Sequence, residues 1–209
     1  MPSAISVLFC SRPNAGVETG APAPRAASRV RPIRLRHLGR GLPPKELKRI
    51  DAEIDRLRQD RAQQHRQRKN IILQLGLRSA ITRALCADER LLTLIEGVVH
   101  PGIAIYSAKM VEKPALDETV CHWHQHDAYS QQLSISACRM SVWIPLSDCD
   151  EGNGCLWMVP GSHLQGLQPW SRREDGFCNL AFQHGEESID GAVPVPIEAG
   201  SVLLFHALT

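Results

Sequence analysis

Hydrophobic residues recur at three- and four-residue spacing between residues 43 and 98. The first such segment follows a proline pair and carries one apolar stripe, formed by Leu47, Ile50, Ile54 and Leu57. Its polar continuation, residues 58–69, has too few apolar positions to pack deeply, and we expect a solvated extension or a loop. The run from residue 70 to residue 96 predicts two more helices. Residues 43–98 therefore form a predicted N-terminal helical part.

Alternating apolar and polar positions replace this helical spacing after residue 102. Residues 103–111, 139–146 and 200–206 have the pattern of strands. Asn153-Gly154 lies between the second of these and the apolar run 155–159, which predicts a hairpin. Helices followed by antiparallel strands and long loops are typical of a helix-flanked β-sandwich or jelly roll. We therefore predict a mainly β fold with flanking helices, whose β core spans residues 99–209.

Residues 1–42 have a different composition from the rest of the chain. They are rich in Ala, Pro, Ser, Gly and Arg, and Glu18 is their only acidic residue. Such a segment buries too little apolar surface to order itself, so we expect it to be disordered. An arginine-rich, acid-poor leader is also typical of an organellar transit peptide, and that alternative stays open.

The overall composition is that of an ordinary soluble globular protein, with 43% hydrophobic and 22% charged residues. No apolar run reaches the length of a membrane span and no secretory signal is evident, so we expect a soluble, cytoplasmic protein. The net charge of +2 conceals arginines crowded into the first seventy residues. Since no aromatic residues are interleaved with them, a solvated face is favoured over a nucleic-acid site. Seven cysteines without a Cys-x-x-Cys pair predict reduced, mostly buried thiols.

The segment from Cys121 to Tyr129 concentrates side chains that can bind a metal ion. It has the sequence Cys-His-Trp-His-Gln-His-Asp-Ala-Tyr and holds three of the nine histidines. In an extended segment, side chains two residues apart share a face, so His122, His124 and His126 would line one side. Neutral imidazole is the commonest metal ligand in proteins. Two neighbours on that side would chelate a single ion.

Five motifs, in this order and spacing, resemble those of the phytanoyl-CoA dioxygenase family. They are Trp123-His124-Gln125 with Tyr129, residues 141–146, residues 153–157, residues 159–163 and residues 200–206. Members of this family are Fe(II)- and 2-oxoglutarate-dependent oxygenases built on a double-stranded β-helix, a cupin-like jelly roll. The resemblance covers residues from about 45 to 209. It implies that fold, Fe(II) as cofactor, 2-oxoglutarate and O₂ as co-substrates, and hydroxylation of a small organic or acyl substrate.

The resemblance assigns metal ligands to the histidine-rich segment, with one departure from the family pattern. The family's first pair is His-x-Asp; His124 lies on the histidine, and His126 lies where the carboxylate belongs. Asp127 follows one residue later and is the alternative ligand, because a bulge that shifts a strand by one residue swaps its faces. An all-histidine site would hold iron but be less anionic. Both His126 and Asp127 therefore stay candidates beside His124.

Three further residues match the family's contacts to 2-oxoglutarate. Gln125 and Trp143 match by register, and Lys109, on the strand before the metal segment, matches more weakly. Each also has an ordinary interpretation: Trp143 as part of the core, Lys109 as a surface residue, and Gln125 as a polar strand residue that faces water.

The family's distal histidine ligand and the arginine that pairs with 2-oxoglutarate would lie beyond Thr209, and His206 precedes the ligand position. We therefore expect a β-helix that is incomplete at its C-terminus, in a fragment of a longer enzyme. The competing hypothesis is a family member without catalytic activity that serves as a binding or structural module. The histidine at position 126 also favours that alternative.

Overall fold

The computed structural model describes residues 3–11, 36–38, 41–62, 71–99, 102–113, 121–130, 139–172, 180–182 and 189–209. The strands are β1 (Ser3–Ser11), β2 (Arg36–Leu38), β3 (Ile71–Leu73), β4 (Ile103–Glu112), β5 (Arg139–Pro145), β6 (Leu156–Met158), β7 (Trp170–Arg172), β8 (Leu180–Phe182), β9 (Val193–Val195) and β10 (Val202–His206). The α-helices are α1 (Pro44–Ala62), α2 (Leu75–Arg78), α3 (Ala80–Cys86) and α4 (Glu89–Glu96). There are also two 3₁₀ turns: His126–Ser130 covers the second half of the histidine-rich segment, and Ser162–Gln165 follows β6.

The described strands form one large and two small sheets. The large sheet has six strands in the order β2-β10-β5-β1-β4-β3, while β6 pairs with β9 and β7 with β8. All of these pairs are antiparallel. The prediction of a mainly β fold with flanking helices is confirmed. The incomplete C-terminus and the division of the chain at residues 42 and 98 stay predictions.

The two faces of the large sheet contribute to different apolar clusters. One face packs against the helices and supplies Ile5, Val7, Phe9, Met140, Val142 and Leu204 to the main core. The opposite face carries Leu203 and Phe205, which join a second cluster with residues of β6 and of the β5–β6 connection. Trp143 packs against this second cluster. The large sheet therefore separates a helix-packed layer from a layer in which polar side chains also lie.

The expectation that residues 1–42 are disordered is wrong for Ser3–Ser11, while the transit-peptide alternative stays a prediction. This segment is β1, which lies inside the large sheet and pairs with β4 on one side and β5 on the other. Its side chains alternate, with Ile5, Val7 and Phe9 all fully buried in the main core. The average composition of the whole N-terminal region hides this alternation. Residues 12–35, 39 and 40 lie outside the described residues.

The helical part begins as predicted and then departs from the prediction. Helix α1 is confirmed, and its apolar stripe buries Ile50, Ile54 and Leu57. The two helices predicted in the run from residue 70 are confirmed as α3 and α4, the latter with Asp88 as its N-cap. Ile71–Leu73, however, is a strand that pairs with β4, and the additional short helix α2 follows it. Ser79 starts α3 as its N-cap, since its hydroxyl accepts hydrogen bonds from two backbone N–H groups.

Of the hairpin predicted at Asn153-Gly154, the turn is confirmed but the strand pairing is wrong. A tight turn is present, in which the Asp150 carbonyl accepts hydrogen bonds from the N–H groups of Gly154 and Cys155, at 2.9 and 2.8 Å. Gly154 has a φ of +101°, which favours glycine. The strand after the turn does not return to β5, however, because β6 pairs with β9. The turn therefore carries the chain out of the large sheet into the second layer.

Two predictions from composition apply to the described residues. The described cysteines are all free, and Cys86, Cys149 and Cys155 are buried. Burial is the main cause that raises the pKa of both the Cys86 and the Cys149 thiols to about 11, so these thiols are protonated at neutral pH. Within the same residues, no helix combines the length and the apolar character needed to cross a bilayer.

Candidate metal centre

The predicted ligands His124 and His126 come together, although not on a strand. Residues 121–125 have no regular secondary structure, and His126 begins a 3₁₀ turn, so the expected extended segment is wrong. The two imidazole rings nevertheless stack, with centroids 5.4 Å apart and planes inclined by 26°. The structure therefore brings together the two histidines that the sequence singles out.

Each imidazole is held through its Nδ1 atom. His124 Nδ1 lies 2.8 Å from the backbone carbonyl oxygen of His122 and donates to it, because a carbonyl can only accept. His126 Nδ1 lies 2.6 Å from the hydroxyl oxygen of Ser141, a fully buried residue on β5. With its proton on Nδ1, His124 has its ring lone pair on Nε2. A histidine that binds a metal is typically fixed in this way by its second nitrogen.

Burial keeps both rings neutral. It is the main cause that lowers the pKa of His124 from 6.5 to about 4, against the opposing hydrogen bond to His122. Burial, followed by the charge of Lys109, holds the pKa of His126 well below its ordinary value. Since only neutral imidazole offers a lone pair, both rings are in the form that binds a metal at neutral pH.

The alternative carboxylate, Asp127, is engaged elsewhere. Its Oδ1 accepts a hydrogen bond from Arg139 Nη1 at 2.5 Å, and the side chains are 19% and 5% exposed. Its backbone N–H also donates to the Ala207 carbonyl. Separating a buried ion pair costs roughly 3–5 kcal/mol, because one charge is left without its partner. The geometry therefore favours His126 over Asp127 as the second ligand beside His124.

The metal-ligand set is incomplete among the residues that the structure describes. Within them, no group of three or more His, Cys, Asp or Glu side chains could hold a metal ion. His124 and His126 supply two imidazoles, whereas non-haem iron oxygenases use three protein ligands. A third ligand would have to come from outside the described part of the chain.

Gln125 has a structural role here. It is 2% exposed, and its Nε2 donates to the carbonyls of Gly166 and Leu208, at 3.1 and 2.6 Å. Its Oε1 accepts from the Gln168 N–H at 2.8 Å. These three bonds tie the histidine-rich segment to the loop after the second 3₁₀ turn and to the end of β10. They support a positioning role, and the predicted contact of Gln125 with 2-oxoglutarate stays a prediction.

A second pair of histidines lies at the end of β10. The rings of His163 and His206 are 5.6 Å apart, and His206 Nδ1 accepts the Leu208 N–H at 3.1 Å. Burial is the main cause that lowers the pKa of His206, and the neighbouring His163 lowers it further. His206 was the nearest in-chain histidine to the family's distal ligand, and the structure pairs it with His163.

Two residues of this site escaped the sequence analysis. Ser141 hydrogen-bonds His126, and Arg139 forms an ion pair with Asp127. Both lie on β5 at alternate positions, on the face opposite Met140 and Val142, which join the main core. Strand periodicity assigns them to a shared face, but their partners are 12 to 15 residues away in sequence and follow only from the fold.

Comparison with known proteins shows the family to which the chain belongs. The sequence profile described as "Phytanoyl-CoA dioxygenase (PhyH)" matches residues 36–209. The chain belongs to the phytanoyl-CoA dioxygenase family. The resemblance drawn from the five motifs is thereby confirmed.

Curated members of the phytanoyl-CoA dioxygenase family are similar over part of the chain. "Phytanoyl-CoA dioxygenase domain-containing protein 1" of Danio rerio is 38% identical over 114 residues, which are 52% of this chain and 38% of that protein. "Phytanoyl-CoA dioxygenase 1" of Oryza sativa subsp. japonica is 33% identical over 105 residues, or 49% of this chain and 35% of that protein. The matched part of the chain thus spans little more than a third of the length of these relatives.

A solved structure supports the fold of this family member. The crystal structure of the epimerase SnoN, in complex with Fe3+, alpha ketoglutarate and nogalamycin RO, aligns with a TM-score of 0.55 and 22% identity. The alignment covers 83% of this chain and 69% of that one. At this identity the likeness extends to the fold, and the cupin-like β architecture expected from the sequence is confirmed.

Proposed function

We propose that this protein is an Fe(II)- and 2-oxoglutarate-dependent dioxygenase that hydroxylates a small organic or acyl substrate. The observation that carries the proposal is the stacked pair of neutral imidazoles, His124 and His126, each anchored through Nδ1. Membership of the phytanoyl-CoA dioxygenase family supports the reaction class. The epimerase of similar fold, which was crystallised with Fe3+ and alpha ketoglutarate, supports the cofactor and co-substrate.

The residues present fit an iron ion in part. His124 and His126 would supply two nitrogen ligands, and a third would come from outside the described residues. Because His126 stands in place of a carboxylate, these two ligands carry no negative charge to offset the ion. When bound, iron would supply the oxidising chemistry with 2-oxoglutarate and O₂ as co-substrates: one oxygen atom of O₂ would enter the hydroxylated C–H bond and the other the succinate formed, with release of carbon dioxide.

The chain's own side chains would bind the co-substrate and exclude water. Lys109 is close enough to lower the pKa of both imidazoles, and its ammonium would attract a carboxylate of 2-oxoglutarate. Phe205, 5% exposed, lies 5.4 Å from the His126 ring between centroids and forms an apolar wall of the site. Such a wall keeps bulk water from the metal ligands.

The second candidate is a family member that has lost its activity and acts as a binding or structural module. The ion pair between Asp127 and Arg139 favours it, because the only carboxylate of the histidine-rich segment is already paired with a guanidinium. The two candidates differ in one measurable property, which is the conversion of 2-oxoglutarate to succinate.

An anaerobic Fe(II) titration followed by a succinate assay separates the candidates. We expect the full-length protein to bind a single ferrous ion and, with O₂, to form succinate from 2-oxoglutarate above a metal-free control. His124→Ala should abolish iron binding, whereas His163→Ala, which removes a buried imidazole from the other pair, should retain it. Iron binding without succinate would support the non-catalytic module, and iron binding by His124→Ala would remove the proposed site.

A further inference from the structure

Strand β1 places one side chain between Lys109 and Trp143, two of the three residues predicted to contact 2-oxoglutarate. In the strand register, Ser6 is opposite Lys109 of β4 and also opposite Trp143 of β5. Directly opposite residues of antiparallel strands project to the same face, with Cβ atoms about 4.5–5.5 Å apart. Ser6 therefore lies in the middle of a row of three polar or aromatic side chains that crosses three strands.

This row lies on the face of the sheet away from the helices. Ile5 and Val7, the chain neighbours of Ser6, are both in the helix-packed core, so alternation directs Ser6 to the opposite face. Trp143 confirms the direction, because it packs against the second apolar cluster with Leu203 and Phe205. Ser6 itself is 2% exposed, so its hydroxyl lies inside the protein.

The same face carries the imidazole pair. Ser141, two residues before Trp143 on β5 and directly opposite Leu8 of β1, hydrogen-bonds His126. Lys109 of β4 lies on this face as well, because it is opposite Ser6 in the strand register. The row formed by Lys109, Ser6 and Trp143 is therefore adjacent to the candidate metal ligands.

The three side chains of the row are suited to one kind of ligand. An ammonium group offers three N–H donors, a serine hydroxyl offers one O–H, and an indole offers one N–H. A carboxylate is an acceptor with two oxygens, and charge-assisted hydrogen bonds to it are about twice as strong as neutral ones. Three donors in one row on neighbouring strands would together satisfy both oxygens of one carboxylate.

We propose that Ser6 is a co-substrate-binding residue, whose hydroxyl joins Lys109 and Trp143 in binding a carboxylate of 2-oxoglutarate. The N-terminal strand β1 thus contributes directly to the site in addition to completing the sheet. This inference rests on the proposed function and deepens it, because it assigns a new residue, from outside the matched family region 36–209, to the same site.

Calorimetric titration of 2-oxoglutarate into the Fe(II)-loaded full chain, without O₂, tests the assignment. We expect Ser6→Ala to weaken 2-oxoglutarate binding about tenfold or more, as for a lost hydrogen bond to a charged group. Ser6→Thr retains the hydroxyl and should bind nearly as well as the wild type. Ser3→Ala is the matched control, because Ser3 is also buried on β1 but alternates to the other face of the strand.

Turnover separates co-substrate binding from a purely structural role. Under our assignment, Ser6→Ala raises the KM for 2-oxoglutarate and leaves kcat within about twofold. Ser6→Cys conserves the size with a weaker donor and should give an intermediate KM, which provides a second test should the alanine variant fail to fold.

The outcomes distinguish this inference from the proposed function. A wild-type chain that binds Fe(II) but not 2-oxoglutarate would overturn the proposed function and the inference with it. Wild-type binding together with unchanged affinity in Ser6→Ala or Ser6→Cys would overturn the inference alone. A lower kcat at constant KM would also overturn it, because that result indicates a structural role for Ser6.

Discussion

Replacing Phe9 with alanine tests whether the N-terminal segment is part of the folded core. Phe9 is fully buried on β1, opposite Met140 of β5, and belongs to the main apolar cluster. Truncating a buried phenylalanine to alanine costs about 3–5 kcal/mol, from lost transfer free energy and the cavity left behind. For a chain of 209 residues, each kcal/mol lowers Tm by about 2–4 °C. We therefore expect Phe9→Ala to lower Tm by roughly 6–20 °C.

Urea and thermal unfolding, each followed by two probes to check two-state behaviour, measure this effect. Leu77→Ala is the control, because Leu77 is also a large apolar residue but is 75% exposed on α2. Its substitution should change the free energy of unfolding by less than about 0.5 kcal/mol. If Phe9→Ala is as mild as Leu77→Ala, then β1 is not a core strand, and the disordered leader expected from composition is the better description.

Three further predictions concern the site. Asp127→Asn should destabilise the fold by about 1.5–3 kcal/mol in urea unfolding, because it removes the negative charge to which the Arg139 guanidinium donates, and Arg139→Met in the same chain should recover part of the loss. A single variant as stable as the wild type would contradict the role of the ion pair. The pKa of His124 is about 4 in the folded state, below its ordinary 6.5, so on acidification the unfolded state takes up this proton first. The free energy of unfolding should therefore fall by up to about 3 kcal/mol between pH 6.5 and pH 4. The fall should be shallower in His124→Gln, and equal slopes in the two chains would contradict a buried neutral ring. Ser141→Ala should weaken Fe(II) binding about 10- to 100-fold in a competition titration, because it removes the group that orients His126, and unchanged affinity would contradict that role.

Features set by local sequence pattern could be predicted. The stripe from Leu47 to Leu57 identified α1, because amphipathic helices bury one face whatever their partner. The alternation in β4, β5 and β10 identified those strands for the same reason. The motifs around His124 and Trp143 led to the correct family, because metal and co-substrate sites constrain residue type and spacing together.

Features set by long-range pairing could not be predicted. Ser3–Ser11 becomes a strand by pairing with β4 on one side and β5 on the other. The composition of the segment does not reveal that these two partner strands are available. The short apolar run Ile71–Leu73 fits a helix or a strand until an edge of β4 is available to pair with it. The pairing of β6 with β9, in place of β5, likewise depends on the second layer of the fold.

In the candidate site, too, local pattern could be predicted and long-range contacts could not. Sequence identified His124 and His126 as a pair, but its reason was a shared strand face, whereas the rings meet beside a 3₁₀ turn. The choice between His126 and Asp127 depended on Arg139 and Ser141, which reach the segment from β5. The proximity of the two histidines could therefore be predicted from local sequence, while the orientation of their rings required the tertiary structure.

The most direct test of the account is a crystal structure of the full chain grown with Fe(II) under anaerobic conditions, with an anomalous difference map recorded at the iron absorption edge. We expect a single strong peak within bonding distance of the Nε2 atoms of both His124 and His126, while Asp127 stays paired with Arg139. A peak at His163 and His206, a peak bonded to Asp127, or no peak at the stacked pair would contradict the proposed metal centre.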